Sequence, residues 1–442
     1  VGKWNIKSYL DMLETINPIK MNGKVTQVIG LTIESQGPDV KLGDICHIFS
    51  PQQQNPIKAE VVGFRNHKVL LMPLGELQSI APGCDVVSTG KPLTVKVGMD
   101  LLGKVLDGLG NPMDGSLLPA GLLEAGTDNL PPNPLTRPRI KEPLSVGVRT
   151  IDGLLTVGKG QRVGVFAGSG VGKSTLLGMI ARNTEADVNV IGLIGERGRE
   201  VLDFIERDLG EEGLKKSVVV AATSDQPALI RIKGAMIATA IAEFFRDQGM
   251  NVNLMLDSVT RYAMAQREIG LAIGEPPATK GYTPSVFALL PRLLERAGTN
   301  ANGSITAFYT VLVDGDDMNE PIADSVRGIL DGHIVLDRNL ARKGVYPAID
   351  VLSSVSRVMS EIVTREHLQA AEILKQHQSV YQNAEDLIHI GAYKRGTDRD
   401  IDRAVDVKEW IDQFVKQGTN ESPSIESTIE QLLTKFGEEG QL

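Results

Sequence analysis

Helical periodicity marks the two ends of the chain, and short apolar, β-branched runs fill most of what lies between. Residues 4–16 place Ile6, Tyr9, Leu10, Leu13 and Ile16 at three- and four-residue spacing, with Lys7, Asp11 and Glu14 elsewhere on the wheel, which predicts an amphipathic helix. Such a terminal helix either packs on its own domain or docks a partner or a membrane surface. From residue 23 to about 93, runs at 24–31, 44–49, 57–64, 68–73 and 84–88 are separated by Gly, Pro and Asn turns. Several short strands of that kind predict a small antiparallel β-barrel. Residues 101–149 are dense in Gly and Pro, including Leu130-Pro131-Pro132-Asn133-Pro134-Leu135, and read as an ordered linker leading into the next domain.

From 148 to about 352 the pattern changes. Apolar runs at 163–167, 188–194, 217–222, 252–257, 304–311 and 333–336 alternate with helical stretches. Continuous apolar runs are expected of strands covered on both faces, so a parallel sheet in an α/β layer is predicted. After Ser356 the signal is helical, with candidates at 361–382, 401–417 and 424–436, and the polar tail 422–442 reads as frayed at its end. The fold class that follows is multidomain: an N-terminal antiparallel β-barrel, a central α/β domain and a C-terminal α-helical domain. The expected boundaries are 1–20 for the terminal helix, 21–95 for the barrel, 96–148 for the linker, 149–355 for the α/β domain and 356–442 for the helical domain.

Composition narrows the function classes. With 442 residues and 42% apolar content the chain supports sizeable cores, and its net charge of −9 argues against a nucleic-acid backbone as the main partner. The two cysteines, Cys46 and Cys84, fit a reducing cytosolic compartment and read as small buried residues. No run of eighteen apolar residues occurs. The first residue is Val, which reads as a trimmed start.

The densest chemistry lies at 163–175. The strand-like Val163-Gly164-Val165-Phe166-Ala167 feeds Gly168-Ser169-Gly170-Val171-Gly172-Lys173-Ser174-Thr175, a glycine-rich loop opening a helix. Gly168, Gly170 and Gly172 permit φ > 0 and bring successive N–H groups close to an anion, while the positive end of the helix dipole points inward. The pattern reads as the phosphate loop of a nucleoside-triphosphate site, with Lys173 as a point charge on the β- and γ-phosphates and Ser174 as a ligand for Mg²⁺; the alternative is a glycine-rich turn in an ordinary βα unit. Ala167 stands where the first glycine of the pattern is usually written, and a small residue suffices there.

Other strand ends carry the groups that hydrolysis needs. The run 252–257 ends in Asp257, which alone reads equally as a helix N-cap. Paired with Lys173 and Ser174 it reads instead as the carboxylate that would hold the Mg²⁺ shell. The run 188–194 leads into Gly195-Glu196-Arg197-Gly198-Arg199-Glu200, where Glu196 is the first acid and the candidate base for the attacking water. Arg197 either stabilises charge or ties Glu196 into a network, and the alternative for the whole segment is a solvated charged turn opening a helix. Arg357, at the handover to the helical region, either makes a structural ion pair or reaches the γ-phosphate of a neighbouring subunit.

Four segments, Gly195 to Glu200, Arg261-Tyr262-Ala263-Met264-Ala265-Gln266-Arg267-Glu268, Gly274 to Tyr282 and Ile329 to Leu336, make the chain resemble the hexameric ATPases that include the catalytic subunits of rotary ATP synthases. The closest resemblance is to the flagellar and type III protein-export ATPases, over nearly the whole chain from Gly23. The resemblance implies a Mg²⁺-dependent, ATP-hydrolysing homohexamer that energises export by a flagellar apparatus, or alternatively by a virulence injectisome. It implies that Glu196 is the catalytic glutamate, that Arg197 and Arg261 are active-site arginines, and that Arg357 is an arginine finger acting across the subunit interface. Tyr346 matches an aromatic that packs on adenine, the alternative being a structural Tyr-Pro turn, and Gly315-Asp316-Asp317 matches a channel-facing loop or is a solvated acidic one. Residues 391–394 look more flagellar than injectisome. The implied partners are a stator-like regulator on the N-terminal helix, a coiled-coil stalk protein in the channel, and export gate membrane proteins, chaperones and substrates, with no nucleic acid. The implied location is cytoplasmic, at the inner face of the membrane. A non-catalytic ring subunit is opposed by Glu196, where such subunits usually carry glutamine. A nucleic-acid motor is opposed by the acidic charge and by a barrel without interleaved aromatic and basic residues.

Overall fold

The computed structural model describes residues 21–51, 55–75, 79–313, 315 and 317–437. The helix expected over 4–16 lies outside the described residues, as do Asp316 and positions 438–442. Two compact units are present, one running to Leu93 and taking in Ala272–Gly274, the other made of Thr94–Leu271 and the chain from Glu275 onward.

In the first unit six strands, β1 (Gly23–Ile29), β2 (Thr32–Gln36), β3 (Asp44–Phe49), β4 (Ile57–Arg65), β5 (Lys68–Pro73) and β6 (Asp85–Pro92), close into an antiparallel barrel in the order β1-β2-β5-β4-β3-β6. Alternation sends Ile33, Cys46, Ile48, Val61, Leu71 and Val86 inward. Both cysteines are free and buried, and burial pushes the Cys46 thiol up to about 11. One expected strand, 24–31, is instead β1 and the start of a hairpin: Gly30 turns at φ +55° and β2 follows. The polar string Thr-Ile-Glu-Ser-Gln of β2 hides it from a hydrophobicity reading. Its buried polar groups are satisfied locally, Glu34 by Lys68 at 2.8 Å and the Ser35 hydroxyl by donation to the Gly37 carbonyl at 2.6 Å.

The second unit is built on a nine-stranded sheet. Its chain begins with a ribbon of β7 (Thr94–Val97) and β9 (Leu123–Gly126), between which β8 (Val105–Asp107) leaves to join the main sheet. The remaining strands are β10 (Arg162–Ala167), β11 (Val188–Ile194), β12 (Ser217–Ala222), β13 (Asn251–Asp257), β14 (Gly298–Thr299), β15 (Ser304–Leu312), β16 (Gly332–Leu336) and β17 (Ile349–Ser356). The order is β17-β16-β10-β15-β13-β11-β12-β8, with β14 beside β15. All pairs from β16 to β8 along this path are parallel, and β17 is an antiparallel edge. The six strands predicted for this sheet are all present. The two edges were not foreseen, because β8 is only three residues long and β17 reads Ile-Asp-Val-Leu-Ser-Ser-Val-Ser with one face half exposed.

The C-terminal helices span Arg365–His389, Arg399–Val415 and Ile425–Phe436. The first starts four residues later than the pattern suggests because the Thr364 side chain accepts from the His367 N–H and caps it; Asp398 and Ser424 cap the other two. These helices pack onto the short helix Arg149–Leu154, where a Cβ on Gly153 would meet Thr428 and Leu432 at 3.0 Å and Phe414 at 3.1 Å. Among the described residues no helix is long and apolar enough to cross a membrane.

The linker segment is pinned by a buried ion pair. Arg296, 2% exposed, donates to both Glu243 carboxylate oxygens at 2.8 Å and to the Thr127 carbonyl at 2.8 Å, while the Asn129 amide donates to Glu243 at 2.7 Å. Removing one partner strands the other charge in a dry site. Glu243→Ala is therefore expected to destabilise the chain by about 3–5 kcal/mol, and Glu243→Leu with Arg296→Met by far less, both read from denaturant melts of the purified protein.

Candidate active site

Parallel register brings the carboxyl ends of β10, β15, β13 and β11 to one level: Ala167 lies opposite Leu312, Leu256 opposite Tyr309, and Asp257 opposite Leu193. Loops leaving that edge are where open α/β sheets bind ligands. From β10 the chain runs through Gly168–Gly172 into the helix Lys173–Asn183. Gly170 at φ +77° and Gly172 at φ +89° occupy left-handed backbone, and Gly172 is an N-cap with no side-chain hydrogen bond. The first-turn N–H groups of that helix thus lack a side-chain cap and face an anion site.

A cavity of about 470 Å³ opens over this loop. Of the residues singled out in the sequence, Gly168, Ser169, Gly170, Gly172, Lys173, Ser174, Thr175, Glu196, Arg197 and Arg261 line it. Val171 does not: its side chain is 1% exposed and sits in the core, so only its backbone serves the loop. Asp257, 3% exposed, is not at the cavity wall and is reached through Lys173.

Lys173 organises the charge. Its ammonium pairs directly with Asp257 and stands 3.5 Å from Glu196 Oε1, which is otherwise without a hydrogen bond. Burial works against the lysine's charge, but the Asp257 and Glu196 carboxylates outweigh it and its pKa is raised. The Glu196 carboxyl is pushed up to about 7, first by desolvation and then by the Asp257 charge, with Lys173 opposing. Gly195, at φ +71°, leads to it, and a Cβ there would stand 2.6 Å from the Arg261 Cβ, so the close approach of Arg261 requires glycine. The Arg261 Nε is buried without a hydrogen-bond partner. Arg197 ties to Glu200 at 3.1 Å rather than to Glu196, and its side chain is 81% exposed.

Besides Val171 and Asp257, two more expected residues lie outside the cavity wall. Tyr346 is half exposed, and its ring carbons lie 3.5 Å from where a Cβ on Gly172 would be, which sets an aromatic face beside the phosphate loop. Arg357 is exposed, donates to the Arg327 carbonyl at 3.4 Å, and touches nothing in the cavity of its own chain. Sequence reasoning missed Thr310 and Ser224. Thr310, buried at the end of β15, donates to Asp257 at 2.7 Å, and the Ser224 N–H donates to the Glu196 carbonyl at 2.9 Å. The only signal for Thr310 is a hydroxyl near the end of an apolar strand, and nothing local says that this strand neighbours β13.

A glycine-rich loop on an inner strand of a parallel sheet, with a lysine between two strand-end carboxylates, defines a phosphate-loop nucleoside triphosphatase. Residues 147–356 match the nucleotide-binding domain of the ATP synthase alpha/beta family, residues 25–90 that family's beta-barrel domain, and residues 363–434 the C-terminal domain of the type III secretion EscN ATPase. The flagellum-specific ATP synthase of Bacillus subtilis is 63% identical over 98% of this chain and 99% of its own length. The type 3 secretion system ATPase of Xanthomonas euvesicatoria is 51% identical over 95% of each chain. The assembled ATPase EscN from the enteropathogenic E. coli type III secretion system superposes with a TM-score of 0.88 at 48% identity, covering 93% of this chain and 99% of that one. The same ATPase in complex with its central stalk EscO gives 0.86. The chain belongs to the ATP synthase alpha/beta family, in the branch of the flagellar and type III secretion ATPases, and it is an ATPase.

A base is active when ionised, so a Glu196 pKa near 7 places the acid limb of kcat/KM near pH 7, with activity falling as pH drops through it. Glu196→Gln is expected to lower turnover by about 10² to 10⁴ and to erase that limb. A limb that persists in the glutamine variant belongs to another group.

Proposed function

We propose that this chain hydrolyses MgATP as a homohexameric ring that energises protein export by a flagellar apparatus. The observation that carries the reading is the largely buried Glu196 carboxylate at the cavity wall beside Lys173, which supports its assignment as the base for a water attacking the γ-phosphate. The phosphate-loop N–H groups and Lys173 bind the triphosphate, Arg261 with its unpartnered Nε adds positive charge at the cavity wall, and Tyr346 packs on the base. Glu196 orients the water and accepts its proton.

The residues fit Mg²⁺. Two carboxylates share one lysine, which leaves net negative charge, and the Ser174 hydroxyl lines the cavity. Among the described residues no group of three or more His, Cys, Asp or Glu forms a metal cage, which suits a cation that keeps waters and phosphate oxygens as ligands. Ser174 would hold the ion directly and Asp257 through its water shell. The ion, when bound, neutralises charge on the β- and γ-phosphate oxygens.

Arg357 lies outside its own cavity, so its role is assigned to the neighbouring subunit's γ-phosphate. The EscN relative is described as assembled and in complex with its central stalk, which supports a ring with a stalk here. The loop bearing Gly315 and Asp317 is the proposed stalk-facing element; Asp317 pairs with Lys280 of the adjacent loop at 3.6 Å. The further assignments are residues 4–16 as the site of a stator-like regulator, and a place at the inner face of the membrane near gate proteins, chaperones and substrates. The 63% identity to a flagellar relative favours the flagellar system.

Arg357→Ala is expected to lose about 10³ to 10⁵ in turnover while still binding nucleotide. Mixing it with Glu196→Gln protein is expected to restore part of the rate, because an intact site forms where the two variants meet. Additive, unrestored rates would place Arg357 outside the reaction. In cells, a genomic Glu196→Gln replacement is expected to abolish motility and flagellar protein secretion at normal protein levels; retained motility would overturn the export role.

A further inference from the structure

The base end of the nucleotide site is braced from the C-terminal helical region by a residue that no motif points to. Gln417 follows the helix Arg399–Val415, is 6% exposed, and commits its backbone N–H and its whole side-chain amide to the protein. Its backbone N–H donates to the Tyr346 carbonyl at 2.9 Å. Its side-chain oxygen accepts from the Arg149 N–H at 2.8 Å, and its side-chain nitrogen donates to the Gly147 carbonyl at 2.8 Å and the Glu421 carbonyl at 2.9 Å. Both amide hydrogens of the side chain are therefore consumed, and none remains for a ligand.

Each anchor is itself held. Gly147 sits at φ +66°, where a Cβ would stand 2.4 Å from the Asn183 Cβ, and its N–H donates to buried Asp152 at 2.9 Å. Arg149 donates to the Gln413, Phe414 and Lys416 carbonyls at 3.2 Å and pairs with Glu421 at 3.1 Å, capping the end of the helix that leads to Gln417. Arg182, in the last turn of the phosphate-loop helix, donates to the Thr419 carbonyl at 2.8 Å.

We propose that Gln417 is a positioning residue for the nucleoside end of the substrate: it fixes the Tyr346 backbone, and through it the ring, against the phosphate loop. The inference rests on the reading of Tyr346 as the base-packing aromatic. Gln417 touches no part of the substrate, so its effect falls on binding of the base and not on the chemistry at the γ-phosphate.

The test compares ADP with pyrophosphate, which lacks a base, by calorimetry on wild type, Gln417→Ala, the isosteric Gln417→Glu and Tyr346→Ala, together with KM and kcat for ATP. Gln417→Ala and Gln417→Glu are each expected to weaken ADP binding and raise KM by about tenfold, leaving pyrophosphate affinity and kcat within about twofold. Tyr346→Ala is expected to show the same base-selective loss. If Tyr346→Ala loses ADP affinity and neither Gln417 variant does, the positioning role is wrong and the Tyr346 reading stands. If Tyr346→Ala leaves ADP binding unchanged, the Tyr346 reading fails and takes the inference with it. Equal loss of ADP and pyrophosphate in the Gln417 variants marks general damage to the fold and overturns the role; should Gln417→Ala not fold, Gln417→Glu decides.

Discussion

One ammonium group shared by two strand-end carboxylates is the interaction on which the site depends. Lys173 stands on the first turn of the phosphate-loop helix, Asp257 at the end of β13 and Glu196 just past β11, and only the parallel register of the sheet brings the three together. Burying two acids beside a single cation leaves negative charge in a place with little water, which raises the Glu196 pKa toward neutrality. A general base works best when its pKa lies near the working pH, so this burial suits Glu196 to the role proposed for it. Thr310, donating to Asp257 from the neighbouring strand, gives the second carboxylate a partner besides Lys173.

The rest of the architecture follows from where that triad is anchored. The sheet is buried on both faces, as its continuous apolar strands require, and the surrounding elements cover it without closing the carboxyl edge. On one side the C-terminal helices reach back through Arg149, Arg182 and Gln417 to the backbone beneath Tyr346 and to the end of the phosphate-loop helix. Arg357, just past the edge strand β17, is exposed and does not line the cavity. Glu196 lines the cavity of its own chain, whereas the exposed Arg357 side chain is no part of that cavity's wall.

Much of this was legible in contiguous residues. The phosphate loop, the charged turn after β11 and the carboxylate ending β13 each announce themselves within a dozen positions, because strand, turn and helix start are dictated by local backbone chemistry. The barrel and the six inner strands of the sheet were equally readable from their apolar runs. Elements with weak local signals escaped: polar β2, three-residue β8 and the half-exposed edge β17 are strands because neighbouring strands offer them hydrogen bonds. Thr364 also shifted the start of the first C-terminal helix, since an N-cap overrides hydrophobic periodicity at a boundary.

By itself the sequence determined that this protein binds a nucleoside triphosphate on a glycine loop at a strand end, and which acids were available for hydrolysis. Tertiary structure decided the rest: that Lys173 is shared by Glu196 and Asp257, that Arg197 pairs with Glu200 instead of Glu196, that Thr310 orients Asp257, and that Gln417 braces Tyr346 from 71 residues away. The reason is physical. Backbone preferences and side-chain periodicity act over a few neighbouring residues, whereas strand order, charge sharing and desolvation arise from contacts between segments far apart in the chain, and nothing within any one segment encodes them.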